Sequence, residues 1–345
     1  MSRVPLSVLD LATVREGHDS ADALRGTTGI ARAADELGYS RFWVAEHHNM
    51  PAVASTSPPV LVAHVAANTA RIRVGSGGVM LPNHMPFVVA EQFALLEALH
   101  PGRIDLGIGR APGTDQATAA ALRGGSPRLS VEQFPDHLAM VLALLGDDRV
   151  APDRISRLQA TPAPASFPEV WMLGSSTYGA QLAAALGLPF CYAYHFATSS
   201  DVDSTARLYT SGFQPSPRFT EPHLMVSASV IAAETTEEAD YLAGPSRLMA
   251  LSLRTGRLGP IVSPETAARA ELTDLDRQLL QQLPGTQYAG TADEVVAGLD
   301  ALVERTGAKE LMIAGTVHDP QTRADSLARL AKTWGLQDNG VAPYR

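Results

Sequence analysis

The sequence predicts one α/β domain closed as a parallel (β/α)8 barrel, a TIM barrel, with an insertion after its seventh strand. Three observations carry this reading. The 345 residues are enough chain for one large domain. Eight short apolar, β-branched or aromatic runs alternate with helical periodicities along its length. Strands returned by a helix run parallel, and eight such units close most naturally on themselves. An open doubly wound sheet would more often carry a Gly-rich turn after its first strand, and none is present there.

Each element has its own local reason. Residues 4–9 form the first apolar run, followed by a polar stretch, 10–25, read as loop. Apolar positions Ile30, Ala33, Ala34 and Leu37 recur at helical spacing over 27–37, with Gly38 as a stop. Residues 41–45 are aromatic and β-branched, a strand. Residues 59–70 read as helix, 72–81 as strand, and 86–99 as helix opened by Pro86, where a missing N–H costs nothing. Then come strand 103–109, helix 129–145, strand 169–173, helix 177–186 stopped by Gly187, strand 189–194, and helix 202–211. Strand 223–232, helix 237–253, helix 292–306, strand 310–314 and helix 320–334 complete the alternation. Two stretches exceed ordinary connections: 146–167, read as an extra hairpin or irregular segment, and 256–288, with Pro260, Pro264 and Pro284 around a helical piece at 265–283. The second is the expected insertion, a lid or rim within a single domain spanning 1–345.

Composition narrows the function. Lys and Arg number 27 against 36 Asp and Glu, a net charge of 27 − 36 = −9. That balance argues against a nucleic-acid binder, which needs a basic surface. The single cysteine, Cys191, excludes an internal disulfide and a thiolate metal cluster. No stretch reaches the roughly 20 apolar residues of a membrane helix, and the first residues do not read as a signal peptide. The expectation is a cytoplasmic protein with no nucleic-acid or membrane partner.

In such a barrel, residues just past the C-terminal strand ends line the active site. Here these are Glu46, His47, His48 and Asn49 after strand two; Gly75-Ser76-Gly77-Gly78, then Asn83 and His84, around strand three; Gly107, Gly109, Arg110 and Gly113 after strand four; Gly174, Ser175, Ser176 and Thr177 after strand five; and His195 at the end of strand six. Gly174-Ser175-Ser176-Thr177 runs straight into a helix, whose free N–H groups and dipole favour an oxyanion. Arg110 adds a bidentate grip suited to phosphate. The glycines of strands three and four would let a flat ring lie against the barrel wall, a geometry suiting flavin mononucleotide. The histidines show no metal-ligand spacing, so no metal is expected; one facing a pocket can donate a proton or act as base. No dinucleotide fingerprint precedes a helix.

Segment 34–48, ending Trp43-Val44-Ala45-Glu46-His47-His48, resembles the second unit of the bacterial-luciferase-like flavin-dependent monooxygenases. Arg73-Val74-Gly75-Ser76-Gly77-Gly78-Val79-Met80-Leu81-Pro82 resembles their third strand, and His100-Pro101-Gly102-Arg103 through Leu106-Gly107-Ile108-Gly109-Arg110 their fourth. Gly290-Thr291-Ala292-Asp293-Glu294 resembles the turn opening their late helix. The resemblance spans nearly the whole chain, in the right order. It implies that Arg110, Ser175 and Ser176 hold the phosphate of reduced FMN, and that Gly77 and Gly78 line its ring, often through a non-prolyl cis peptide. It also implies a catalytic His47, with His195 orienting substrate. The implied reaction is oxygenation of a small organic substrate by O2 through a flavin C4a-peroxide. A separate NAD(P)H:flavin reductase would supply the flavin, and a homodimer is expected through the helices of units two and three. Luciferase itself carries cysteine where this chain has Gly109, which separates the chain from the luminescent activity. Related barrels use deazaflavin F420 for hydride transfer, and a non-catalytic flavin-binding protein is a third reading.

Overall fold

The computed structural model describes residues 3–126, 129–147, 149, 158–196, 201–283 and 287–336. Eight strands form the barrel: β1 (Leu6–Asp10), β2 (Arg41–Val44), β3 (Arg73–Met80), β4 (Ile104–Gly109), β5 (Glu169–Gly174), β6 (Phe190–Tyr192), β7 (Leu224–Ala233) and β9 (Glu310–Ala314). All pair in parallel, and the β6–β7, β7–β9 and β9–β1 pairings close the ring. These are the eight strands expected from the sequence. The ninth, β8 (Tyr288–Thr291), is additional and pairs with the far half of β7, from Val230↔Tyr288 to Ala233↔Thr291.

β7 therefore has two partners in succession. Arg323 of α12 (Pro320–Trp334) fills the gap where β7 passes beyond β9, donating to the carbonyls of Val230 and Ile313 at 3.2 and 3.1 Å. Gly315 is required there, since a Cβ would lie 2.6 Å from the Val230 oxygen and from the Arg323 guanidinium.

The helices between strands are α1 (Ser20–Glu36), α2 (Pro58–Ala67), α3 (Pro86–Leu99), α4 (Gln116–Arg123), α5 (Phe134–Leu144), α6 (Thr177–Leu186), α7 (Val202–Gly212) and α8 (Thr236–Thr255). α9 (Pro264–Ala268), α10 (Asp274–Gln282) and α11 (Ala292–Thr306) follow. Three of these depart from the expected pattern. α1 begins inside the stretch read as loop, because Asp19 and Asp22 form a reciprocal capping box that starts the helix early. α4 was not expected; Asp115 caps it, accepting from the amides of Ala117 and Thr118. The helical piece at 265–283 is two helices, with Thr273 and Asp276 restarting the second. Of the long connection 146–167, residues 148 and 150–157 lie outside the described residues, and 158–167 hold no helix or strand.

Strand alternation sorts the core into two layers. Leu6, Val8, Phe42, Val44, Val74, Leu106, Val226 and Ile313 face outward into the helices. Leu9, Trp43, Ala45, Trp171, Cys191, Met225, Met312 and Ala314 face inward and fill the barrel. Beneath this apolar layer, Arg41 binds Asp105 at 2.9 Å, Glu310 at 3.1 Å and Glu169 at 3.3 Å. Arg73 also binds Asp105, at 2.6 Å, and Trp43 donates to it at 2.9 Å. Burial opposes ionisation of Asp105, but the two guanidinium groups hold its carboxyl below the usual range. This plug closes the N-terminal end, so the open end is the C-terminal one.

Candidate active site

The C-terminal strand ends carry the residues singled out from the sequence, and the short polar segments after each strand decide which of them meet. Glu46 follows β2 and is fully buried. One of its oxygens accepts from His84 Nε2 at 2.7 Å and His48 Nε2 at 2.9 Å, and the other from the Met80 amide at 3.0 Å. Burial opposes the charge, yet these donors hold the carboxyl below the ordinary carboxylate range. His48 and His84 are thereby committed to Glu46.

His47 points the other way, as neighbours in extended chain must. Its Nδ1 lies 3.3 Å from the carbonyl of Gly113. A carbonyl only accepts, so Nδ1 carries the proton and Nε2 keeps its lone pair. Burial lowers the pKa of His47 below the ordinary imidazole value. The same carbonyl accepts from the His48 amide at 3.2 Å. Gly113, at φ +65°, has no room for a side chain: a Cβ would stand 2.6 Å from the Glu46 backbone carbonyl oxygen.

His195 does not end a strand. It sits in a short helical turn, Tyr194–Phe196, just beyond β6. Its Nδ1 lies 2.6 Å from Ser227 Oγ on β7. Burial, with His47 adding to it, pushes its pKa down to about 4.

Arg110 follows β4, its guanidinium 4.1 Å over the ring of Tyr178 in the first turn of α6. Among the described residues it makes no ion pair, unlike Arg41 and Arg73. Ser176 is the N-cap of α6, but its hydroxyl does not cap the helix, leaving first-turn amides without an intrahelical partner. Ser175 precedes it on the same turn. Arginine, helix N-terminus and hydroxyl together make an arrangement that can hold an oxyanion.

The glycines also have a cause within the barrel itself. A Cβ on Gly107 would overlap the Ser76 carbonyl; one on Gly78 would stand 2.8 Å from the Gly107 oxygen, and one on Gly77 2.7 Å from Leu9 Cδ1. Close approach of the β3 and β4 backbones requires Gly78 and Gly107, while Gly77 faces the barrel filling. The Gly77–Gly78 peptide is cis, beside the bulge where the β3–β4 register shifts. A surface cleft of about 370 Å³, part of it open solvent, lies between Met50–Ala52, the second half of α8 and residues 258–262.

Sequence reasoning passed over the acceptor role of Glu46, and Ser227 and Tyr178 altogether. Ser227 was findable as one of two serines, with Ser229, at inward positions of a strand whose other residues are apolar.

The sequence model of luciferase-like monooxygenases matches residues 4–310. The chain belongs to the luciferase-like monooxygenase family. It is an oxidoreductase of that family, similar to the luciferase-like monooxygenase of Escherichia coli (strain K12), 40% identical over 94% of this chain and 95% of that one. It is also similar to the N-acetyl-S-alkylcysteine monooxygenase of Bacillus subtilis (strain 168), 36% identical over 97% of this chain and 91% of that protein. The crystal structure of apo-MsnO8 superposes with a TM-score of 0.89 at 36% identity, covering 97% of this chain and 99% of that one. Among the described residues, no helix is long and apolar enough to cross a membrane.

Proposed function

We propose that this family member is a monooxygenase that uses reduced FMN and O2 to oxygenate a small organic substrate, the flavin being reduced by a separate NAD(P)H-dependent reductase. The observation that carries the cofactor reading is Arg110: a half-buried guanidinium stacked on Tyr178 with no carboxylate partner among the described residues, beside the open N-terminus of α6. These groups fit a phosphate, with Arg110 and the Ser175–Ser176 turn holding it and the Gly77–Gly78 segment lying towards the ring. When bound, reduced flavin supplies the electrons that activate oxygen.

The protein's own residues do the rest. His47, neutral at pH 7 and protonated on Nδ1, offers Nε2 as a proton acceptor. Gly113 fixes the ring's direction. Glu46 holds His48, His84 and the end of β3, so the wall beside His47 keeps its shape. Residues 256–283, carrying α9 and α10, form the cover that excludes water. The N-acetyl-S-alkylcysteine monooxygenase among the relatives makes S-alkylated cysteine derivatives the first substrates to try.

The test is an anaerobic titration with reduced FMN and reduced F420 side by side. Tighter binding of FMN supports the proposal; preference for F420 overturns it in favour of hydride transfer, because the phosphate grip serves either cofactor.

We also propose a homodimer through α2 and α3. Val60 is 70% exposed, Leu99 61%, and Val88 and Leu95 49% each. These exposed apolar side chains on adjacent helices support that reading.

A further inference from the structure

Ser227 sits at an inward position of β7, between Val226 and Ala228, which face the outer core. It is buried and reaches the turn that carries His195. Three polar atoms surround its hydroxyl: the Tyr192 carbonyl at 3.1 Å, His195 Nδ1 at 2.6 Å and the His195 amide at 3.4 Å. A serine hydroxyl has one proton and two lone pairs. The Tyr192 carbonyl can only accept, and the His195 amide can only donate. The arrangement that uses every group sends the hydroxyl proton to Tyr192 and receives both His195 donors, the amide and Nδ1–H. The opposite arrangement, with the hydroxyl donating to Nδ1, sets the Tyr192 and Ser227 oxygens lone pair to lone pair.

We propose that Ser227 is a positioning residue that locks His195 in its Nδ1–H tautomer, so that Nε2 is presented as a standing hydrogen-bond acceptor. Among the described residues Nε2 has no partner, and it is not one of the buried polar atoms sealed without one. A group that meets it brings an O–H or N–H donor. The turn is held from a second side as well: Gln287 donates to the Tyr194 carbonyl at 2.8 Å while accepting from the Ser229 amide at 3.0 Å. With the backbone pinned there, the imidazole keeps only its tautomer to be decided, and Ser227 decides it.

This makes His195 and His47 alike. Each donates through Nδ1, one to Ser227 and one to Gly113, and each leaves Nε2 as acceptor. The inference rests on the monooxygenase reading for its use in the reaction, but the tautomer itself does not depend on any cofactor.

The experiment uses the full chain labelled with 15N-histidine, observed by long-range 1H–15N correlation at pH 7. The His195 signals are assigned by their loss in His195→Gln. The expected wild-type result is a protonated Nδ1 and a bare Nε2. In Ser227→Ala the two tautomers become mixed or inverted, and Ser227→Thr, which keeps the hydroxyl, restores the wild-type pattern. An Nε2–H tautomer in the wild type overturns the proposal, as does an unchanged Nδ1–H state in Ser227→Ala. Should Ser227→Ala not fold, the wild-type and Ser227→Thr spectra still decide. Reduced-FMN affinity is measured on the same samples. Absent flavin binding with the expected tautomer would refute the cofactor reading and leave the Ser227 assignment standing.

Discussion

Arg110→Ala separates binding from stability, because of what this arginine lacks. Its guanidinium lies over Tyr178 at 4.1 Å and faces no carboxylate among the described residues. Removing it leaves no buried charge unpaired. The fold loses only a cation–π contact, about 0.5–1 kcal/mol at a partly exposed site. A phosphate bound there would lose a charge-assisted hydrogen bond, about 1.5–3 kcal/mol, which is roughly a ten- to hundredfold weaker Kd. The measurement pairs anaerobic titration with reduced FMN, followed by flavin fluorescence, with urea unfolding of the same samples. Raising the salt should narrow the gap between wild type and variant, since the contact is electrostatic. An unchanged Kd would show that the phosphate end lies elsewhere. A stability loss of several kcal/mol would show that Arg110 has a structural partner that its stacking on Tyr178 does not reveal.

Other outcomes follow from the same geometry. Arg41→Met should cost about 3–5 kcal/mol in urea unfolding at pH 7, because Glu310 and Asp105 are buried and Glu310 loses its main cation. In the wild type those carboxyls sit below their ordinary values, so their contribution is present above the unfolded values and fades as pH falls. In the variant the Glu310 pKa rises, so the deficit should shrink between pH 7 and pH 5; a constant deficit would contradict the pairing. His195, pushed down to about 4 from 6.5, stabilises the fold above 6.5 and loses that contribution as pH falls through about 4. His195→Gln should therefore flatten the stability curve over that window, and an unaltered slope would count against burial as the cause. His47→Ala should leave reduced-FMN affinity within about twofold and change the stopped-flow reaction with oxygen; lost flavin binding would move His47 to the cofactor's anchor. Val60→Glu combined with Leu99→Glu should convert a dimer to a monomer in sedimentation at micromolar concentration, and a monomeric wild type would end the dimer proposal.

The sequence alone determined the barrel. Apolar runs, helical spacing and stop residues are local signals, and eight repeats of one unit leave closure as the way to bury every strand. Local signals also placed His47, Arg110, Ser175 and Ser176 at strand ends, since a strand's end is readable from its own residues. Missed elements had local causes too: the capping boxes at Asp19 and Thr273 and the cap at Asp115 were present but outweighed by polar composition. Tertiary structure alone decided what each strand end meets. Glu46 finds His84 across 38 residues, and Ser227 finds His195 across 32. No spacing rule forecasts either pair, because barrel closure sets them. The same packing requires Gly78 and Gly107 between neighbouring strands, and it sets an ion-paired Arg41 inside the barrel against an Arg110 that, among the described residues, makes no ion pair. The sequence placed Arg41 at the start of its strand and Arg110 past the end of its own, and only the structure shows which of them meets buried carboxylates.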